Sequence, residues 1–291
     1  MSKDFVYVDS KDLIEEFYKH AKSKTIIGID LEAENNYHHY GYYVSLIQIS
    51  AGDKAFIIDA IKLSAKDLIP VLKILTDENI EKVFHDINFD FRILNYQYKT
   101  LPKNIFDTKI AAELLNEEKV GLKDLLYKYF NVIKQKKFQK ADWSKRPLDR
   151  ELLEYAAGDV KFLVALRNLL KKQLIEKKLW EKAKEKFAQA EKKDYFLKKQ
   201  SYLDVRGVGN LSESELSFFK DLFELRDKLA RKVNRPPFYI ISNKKMLEIV
   251  KNPPKNLSEW QIMKGVHPIV RKKAYYFHKL SIKPRGKSNR E

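Results

Sequence analysis

The feature that most constrains the fold of this chain is an apolar run that ends in two acidic residues. Residues 26–29 are Ile-Ile-Gly-Ile, and Asp30 and Glu32 follow with one leucine between them. A short β-branched run bounded by polar residues predicts a buried strand. Side chains alternate across a strand, so both carboxylates point to one side, where two acids can share a cation. An Asp-x-Glu pair also fits an ordinary strand end at the water boundary, so other motifs in the chain have to distinguish a cation site from a plain strand end.

The composition limits the class of protein and the kind of metal site. The chain has 291 residues, enough for one large and one small domain, and it contains no cysteine. The lack of cysteine excludes disulfides, thiolate metal sites and cysteine nucleophiles, which leaves oxygen and imidazole as ligands. No apolar stretch reaches the length of a membrane span, and the N-terminus lacks a signal-peptide core. We therefore expect a cytoplasmic protein with no membrane partner.

The charge is strongly positive and unevenly distributed. Lys and Arg exceed Asp and Glu by 57 to 40, a net charge of +17. Residues 206–291 contain 20 basic and 8 acidic residues, so this last part of the chain contributes +12 of that total. Such an excess favours a polyanionic partner, although a lysine-rich composition also arises from genome bias or serves solubility.

The hydrophobic pattern of residues 1–170 predicts an α/β fold, a mixed sheet with helices packed on its faces. Asp107 precedes one of the predicted helices and is a candidate N-cap. Besides the first run, extended segments are predicted at 5–8, 42–50, 54–59 and 82–85, and helices near 88–96, 109–116, 121–130 and 149–170.

Three further residues in this part could take part in chemistry. Asp90 falls in the first turn of a predicted helix, where an acid also simply favours the helix dipole. Tyr155 and Asp159 are four residues apart on one helical face, and the small residues between them allow close approach. Trp143 lies in a loop ahead of that helix and by default is a core aromatic residue.

Together the four carboxylates of Asp30, Glu32, Asp90 and Asp159 indicate a metal site. Like charges at close range raise one another's pKa, so such a cluster is stable mainly when divalent cations neutralise it. Oxygen ligands favour Mg²⁺ or Mn²⁺, and two such ions can bind the attacking and leaving oxygens of a phosphodiester. The predicted reaction is metal-assisted hydrolysis of a phosphodiester, with Tyr155 orienting or deprotonating the attacking water.

Five short motifs follow one another along residues 1–170. They are Asp30-Leu-Glu32, His85-x-x-x-x-Asp90, Phe106-Asp-Thr108, Ala141-Asp-Trp-x-x-Arg-Pro-Leu148 and Tyr155-x-x-x-Asp159. Their order resembles ribonuclease D and its relatives, which are 3′-5′ exonucleases with four acids and a tyrosine on a ribonuclease H-like fold. The Ala-Asp-Trp motif looks as much like the exosome-associated eukaryotic relatives as like the bacterial enzyme.

This resemblance implies that Asp30, Glu32, Asp90 and Asp159 bind two divalent cations, Mg²⁺ or Mn²⁺, and that Tyr155 positions water. It also offers three substrate-binding candidates, each with an ordinary alternative. His85 is either close to the terminal nucleotide or a hydrogen-bonded core residue. Lys136 belongs to a lysine run that either contacts RNA or forms a solvated face. Trp143 either contacts the substrate or belongs to the core. Asp86 departs from the family pattern, and we expect it to cap the helix that follows.

The C-terminal part resembles the HRDC domain, a small helical domain shared by ribonuclease D and RecQ-type helicases. The resemblance rests on 225–237, Leu-Arg-Asp-Lys-Leu-Ala-Arg-x-x-Asn-Arg-Pro-Pro. We expect a catalytic domain at 1–170, a charged helical linker at 171–205, an HRDC-like all-α domain at 206–281 and a basic tail at 282–291.

The expected protein is a monomeric 3′-5′ exoribonuclease that trims structured RNA precursors, such as tRNA, from the 3′ end. The preference for RNA comes from the resemblance alone. A DNA exonuclease of the same mechanism is the alternative enzyme, and a catalytically silent basic RNA-binding module is the alternative class.

Overall fold

The computed structural model describes residues 5–133, 138 and 140–284. The chain forms two compact units. The first contains the residues up to Glu34 together with Tyr43–Leu197, and the second contains Asn35–Tyr42 together with the residues from Lys198 onward.

A six-stranded mixed sheet forms the centre of the first unit and confirms the predicted fold class. The strand order is β1-β4-β3-β2-β5-β6. Strands β1 and β4 are parallel, β3 and β4 form an antiparallel hairpin, and β2-β5 and β5-β6 are parallel pairs. The strands are β1 (Phe5–Val8), β2 (Ile26–Asn35), β3 (Tyr42–Ala51), β4 (Lys54–Asp59), β5 (Glu81–Phe84) and β6 (Ile105–Asp107).

Helices flank this sheet. The single helix predicted at 149–170 is wrong, since Phe162 divides it into two helices. The first of them packs on β1 and β4 and the second on β5, so the two halves follow different parts of the sheet. The helices are α1 (Lys11–Lys22), α2 (Ile69–Thr76), α3 (Ile87–Tyr98), α4 (Thr108–Leu114), α5 (Leu122–Phe130), α6 (Arg150–Lys161), α7 (Leu163–Glu176) and α8 (Trp180–Lys192).

Gly28 lets strand β2 approach the junction of α6 and α7 closely. A Cβ atom at this position would lie 2.6 Å from Ser50 Oγ, 2.9 Å from Leu163 Cβ and 3.2 Å from the Val160 carbonyl oxygen. The Ser50 hydroxyl of β3 also donates a hydrogen bond of 2.9 Å to that carbonyl. The helix that contains Tyr155 and Asp159 is therefore fixed against the strand that contains Asp30.

The second unit is helical around its own apolar core. Trp260 and Phe277 stack at its centre with ring centroids 5.3 Å apart. Arg226 is buried in the same unit and donates to the Ile241 carbonyl and to Asn243 Oδ1. Two 3₁₀ turns, Tyr202–Asp204 and Val208–Asn210, precede α9 (Glu213–Lys232), α10 (Pro237–Ile240), α11 (Asn243–Lys251), α12 (Leu257–Gln261), α13 (Pro268–Lys272) and α14 (Ala274–Ser281).

The segment 35–42 belongs to this second unit although it connects β2 to β3. Tyr40 contacts helix α9 and the residues just after it. Its hydroxyl donates to Asp227 Oδ2 at 2.8 Å, its backbone N–H donates to Asn234 Oδ1 at 3.3 Å, and the Arg231 guanidinium lies 5.4 Å from its ring centroid. An early part of the chain is thus fixed to helix α9.

The charged segment 171–205, expected to be a linker, divides between the two units at Leu197 and Lys198. Its first part completes α7 and forms α8, whose Phe187 packs on Phe106 of β6 with ring centroids 4.7 Å apart. Most of the expected tail, 285–291, lies outside the described residues. Among the helices the structure describes, none combines the length and apolar character needed to cross a membrane.

Candidate active site

Strand β2 presents the first two acids of the predicted site. Asp30 and Glu32 are partly exposed, whereas Leu31 between them is only 7% exposed. This alternation places the two carboxylates on one face of the sheet, as the sequence predicts.

Asp90 reaches the same place through strand register and a shared cap. The parallel register pairs Gly28 with Val83, so the end of β5 and the start of α3 lie beside Asp30. Asp107, 1% exposed, accepts hydrogen bonds from the backbone N–H groups of Asp86 and Ile87 at the start of α3. It also accepts from two N–H groups of α4, which confirms it as the predicted N-cap.

Asp86 occupies the N-cap position of α3, but the expected cap hydrogen bond is absent. Its backbone is left-handed, with φ of 64°, and its side chain makes no cap contact. The carboxylate instead accepts from Lys109 Nζ at 2.6 Å and from Asn88 Nδ2 at 2.8 Å. Because Asp107 already binds the first N–H groups of the helix, the side chain of Asp86 is left to pair with Lys109.

Electrostatic coupling connects all five predicted catalytic residues. Burial, followed by the carboxylate of Asp30, raises the pKa of Asp90 well above its usual value. Burial, followed by the carboxylates of Asp159, Glu32 and Asp30, raises the pKa of the Tyr155 phenol. The structure thus brings the four acids and the tyrosine to one place.

The chemistry of this donor set fits divalent cations. All four acids supply oxygen, two of them are almost fully buried, with Asp90 7% and Asp159 3% exposed, and Asp30 raises the pKa of Asp90. Hard cations such as Mg²⁺ and Mn²⁺ prefer oxygen ligands, and their charge offsets the repulsion between the acids.

His85 lies between the end of β5 and the start of α3 and has a defined tautomer. The Thr108 hydroxyl donates its single proton to the Phe84 carbonyl at 2.9 Å. Thr108 Oγ1 therefore accepts from His85 Nδ1, which lies 2.9 Å away, so Nδ1 is the protonated nitrogen. In the neutral ring the other nitrogen, Nε2, is then a hydrogen-bond acceptor.

The other two substrate-binding candidates differ in what the structure shows. Trp143 is 5% exposed, and its ring centroid lies 6.1 Å from that of Tyr155. It packs against Tyr155, the predicted catalytic tyrosine, which leaves little of its surface for a base. Lys136 lies outside the described residues.

Asp59 and Arg146 form a buried ion pair that the sequence reasoning missed. Arg146 Nε lies 2.6 Å from Asp59 Oδ2. Arg146 belongs to the motif 141–148, whereas Asp59 ends strand β4, and because 87 positions separate them no local pattern indicates that they meet.

Comparison with known proteins identifies the family of the first unit. Residues 5–175 match the family model described as 3′-5′ exonuclease, which is more than half of the chain. The chain belongs to the 3′-5′ exonuclease family. Residues 215–277 match the HRDC domain, and together the two matches make this chain a ribonuclease D-type member of the exonuclease family.

Relatives of this exonuclease include eukaryotic and bacterial proteins. The human exosome complex component 10 is 31% identical over 259 residues, covering 86% of this chain but only 29% of the human protein. Ribonuclease D of Haemophilus influenzae is 29% identical over 245 residues, covering 82% of this chain and 60% of the bacterial protein. The chain thus spans less than two thirds of the length of either relative.

A solved structure supports the fold over nearly the whole chain. The catalytic core of RRP6 from Trypanosoma brucei is 26% identical, with a TM-score of 0.84, and the match covers 96% of this chain and 79% of the trypanosome chain.

Proposed function

We propose that this protein is a metal-dependent 3′-5′ exoribonuclease that releases nucleoside 5′-monophosphates from RNA 3′ ends. The observation that carries the proposal is the electrostatic coupling of Tyr155 with Asp30, Glu32 and Asp159, and of Asp90 with Asp30. Three separate elements, β2, α3 and α6, contribute these residues, so the cluster depends on the fold.

Asp30, Glu32, Asp90 and Asp159 would hold two divalent cations, Mg²⁺ or Mn²⁺. Such ions supply stabilisation for the negative charge that develops on the phosphodiester oxygens. Because Asp90 and Asp159 are almost fully buried, their carboxylates hold fixed positions and need little reorganisation during the reaction.

Tyr155 orients the attacking water rather than removing its proton as a phenolate. Burial and the neighbouring carboxylates raise the pKa of this phenol, so it stays protonated at neutral pH. A protonated phenol can donate one hydrogen bond and accept another, which fixes the direction of a water molecule.

His85 contributes to recognition of the terminal nucleotide. With its proton on Nδ1, the ring can accept a hydrogen bond from a ribose hydroxyl at Nε2. A 2′-hydroxyl is the group by which a protein distinguishes RNA from DNA at such a position. Trp143 would act indirectly, by packing against the ring of Tyr155. Lys136 would contact the RNA backbone.

The helical unit would add affinity for the nucleic-acid backbone without reading sequence. Arg271 and Lys272 are exposed at the end of α13, and Tyr275 and Tyr276 follow with 60% and 53% of their surface exposed. Cations attract phosphates and aromatic rings stack on bases, a combination typical of single-strand contacts. Replacing Arg271 and Lys272 by Gln should weaken RNA binding and reduce its salt dependence, whereas an unchanged salt slope would contradict this role.

The proposed substrates are structured RNA precursors such as tRNA. The names of the relatives, ribonuclease D and exosome complex component 10, support RNA as the polymer. The two names indicate different kinds of RNA processing, so we also propose precursors of other stable RNAs as substrates.

The experiment is digestion of matched RNA and DNA, labelled at either end, with Mg²⁺ or Mn²⁺. Wild type should release labelled mononucleotides at once from 3′-labelled RNA and shorten 5′-labelled RNA stepwise. Asp30→Asn should abolish this release, and Asp53→Asn, which changes an exposed acid in the β3-β4 turn, should retain it. Endonucleolytic fragments, or equal activity of the Asp30 variant, would contradict the proposal, and faster digestion of DNA would favour the DNA exonuclease.

A further inference from the structure

Arg146 fixes the loop 141–148, which contains Trp143, to the sheet. Its guanidinium has five N–H groups, and five acceptors surround it. Asp59 accepts two hydrogen bonds, from Nε at 2.6 Å and from Nη2 at 2.8 Å. The carbonyl oxygens of Trp143, Lys145 and Ser45 accept the other three, at 2.7, 2.9 and 3.2 Å.

Asp59 is itself fixed by the strands around it. It ends β4 and is 0% exposed, and the Tyr7 hydroxyl of β1 donates to its carboxylate. The backbone N–H groups of Ile61 and Lys62 donate to the other oxygen, both at 3.0 Å. Burial would raise the Asp59 pKa, but the hydrogen bonds from Arg146 and Tyr7 hold it below its ordinary value, so the carboxylate stays charged.

These contacts lead from the sheet to the predicted catalytic tyrosine. Arg146 holds the Trp143 backbone through its carbonyl, and the Trp143 ring is only 5% exposed. That ring packs against Tyr155 with centroids 6.1 Å apart and planes inclined by 33°. The angle at which the Tyr155 phenol meets the carboxylate cluster therefore depends on where Trp143 is held.

We propose that Asp59 and Arg146 are positioning residues of the exonuclease site, which set the orientation of Tyr155 through Trp143. This inference rests on the proposed function for its catalytic readout. Neither residue touches the reacting atoms. Their role is to keep the phenol aimed at the attacking water, so their loss should lower the rate of chemistry and leave metal and RNA affinity in place.

A matched ion pair in the same unit separates this role from general stabilisation. Arg167 binds Glu81 through the same two-pronged geometry, at 2.6 and 2.9 Å, and the side chains are 13% and 20% exposed. The Arg146 and Asp59 side chains are 15% and 0% exposed. In the described part of the chain, the hydrogen bonds and the ion pair of Arg167 involve Glu81 and Asn168, and none of them reaches the loop 141–148. Lysine, with three donors in place of five, loses the two-pronged geometry of either pair while keeping the charge.

The kinetic test compares Arg146→Lys, Asp59→Asn and the control Arg167→Lys on a short RNA. The first two variants should lower kcat about 100-fold, because small misplacements of a catalytic group are costly, with KM and Mn²⁺ affinity unchanged. The control should keep wild-type kcat. In Arg146→Ala, added guanidinium ion should restore part of the lost kcat. Equal losses in both arginine variants, or a loss confined to KM, would overturn the proposal.

A spectroscopic test works even if the protein has no exonuclease activity. The chain has three tryptophans, so 5-fluorotryptophan labelling gives three ¹⁹F signals, and Trp143→Phe assigns one of them. Arg146→Lys and Asp59→Asn should shift the Trp143 signal, and Arg167→Lys should not. An unchanged Trp143 signal would refute the positioning pair, whereas wild type that releases no mononucleotide would refute only the proposed function. If one variant fails to fold, the other still gives the comparison.

Discussion

Gly28→Ala tests whether the close contact between β2 and α6 holds the proposed catalytic residues in place. A new Cβ would lie 2.9 Å from Leu163 Cβ, where ordinary contact begins at 3.4 Å, so one of the two must retreat by about 0.5 Å. The Cβ of Leu163 cannot move by a change of rotamer. Ser50 Oγ, 2.6 Å away, can rotate only by giving up its hydrogen bond to the Val160 carbonyl.

The strain therefore passes to the backbone at the junction of α6 and α7. Val160 directly follows Asp159, so α6 should shift away from Asp30 by several tenths of an ångström. Overpacking of this kind costs about 2 kcal/mol of unfolding free energy, which lowers the midpoint of thermal unfolding by roughly 4–8 °C. Because the proposed metal ligands on both elements must keep their spacing, we expect a loss of activity of about 10- to 100-fold.

The measurements are thermal unfolding and mononucleotide release, with Gly158→Ala as the matched control. Gly158 lies inside α6 between Tyr155 and Asp159, and a Cβ there would meet nothing within 4 Å. Alanine should stabilise this helix by about 0.5–1 kcal/mol and leave the activity unchanged. Wild-type turnover in Gly28→Ala, or an equal loss in Gly158→Ala, would refute the reasoning.

Three further predictions concern single ionisable groups. Asp90→Asn should abolish activity yet stabilise the metal-free protein by about 1 kcal/mol at pH 7.5. Burial and nearby carboxylates raise the Asp90 pKa, so this carboxyl makes the wild type less stable as pH rises. In thermal unfolding with EDTA, the stabilisation of Asp90→Asn relative to wild type should therefore be smaller at pH 5 than at pH 7.5. Burial lowers the pKa of Lys82 to about 8, so the folded wild type loses this proton at a lower pH than the unfolded chain does. Between pH 8 and 9.5, the unfolding free energy of wild type in urea should therefore rise by about 2 kcal/mol relative to that of Lys82→Met. The same pH dependence in both proteins would contradict this. Tyr155→Phe should lower kcat at least about 100-fold. Its pH-rate profile between pH 6 and 9 should keep the wild-type shape, because the phenol stays protonated there, and a limb seen only in wild type would show that it ionises.

The sequence predicted those parts of the protein that depend on local pattern and chain order. The alternation at Asp30, Leu31 and Glu32 appears in the structure, and Asp107 caps α4 as its position before the helix indicates. The sequence did not predict that the same carboxylate also binds the start of α3, because the N–H groups of Asp86 and Ile87 meet it only after β5 and β6 pair.

Two features of the structure have the same physical cause, which is that packing decides what local pattern leaves open. No Gly or Pro marks the break at Phe162, because α6 and α7 separate to follow different strands. The alternating charges predict a charged helical linker at 171–205, but they do not indicate that Ala183 and Phe187 give α8 a buried face in the first unit. For the same reason, no local sequence pattern predicts that Asp59 pairs with Arg146, since the two residues meet only in the folded chain.

The position of Tyr40 has a consequence for the order in which a newly made chain can fold. Asp227, its hydrogen-bond partner, is 187 residues later, and Asn234 is 194 residues later. During synthesis from the N-terminus, the segment 35–42 leaves the ribosome long before helix α9 exists. The second unit therefore cannot be completed as an independent C-terminal block, because the segment 35–42, made much earlier, forms these contacts only after helix α9 has been synthesised.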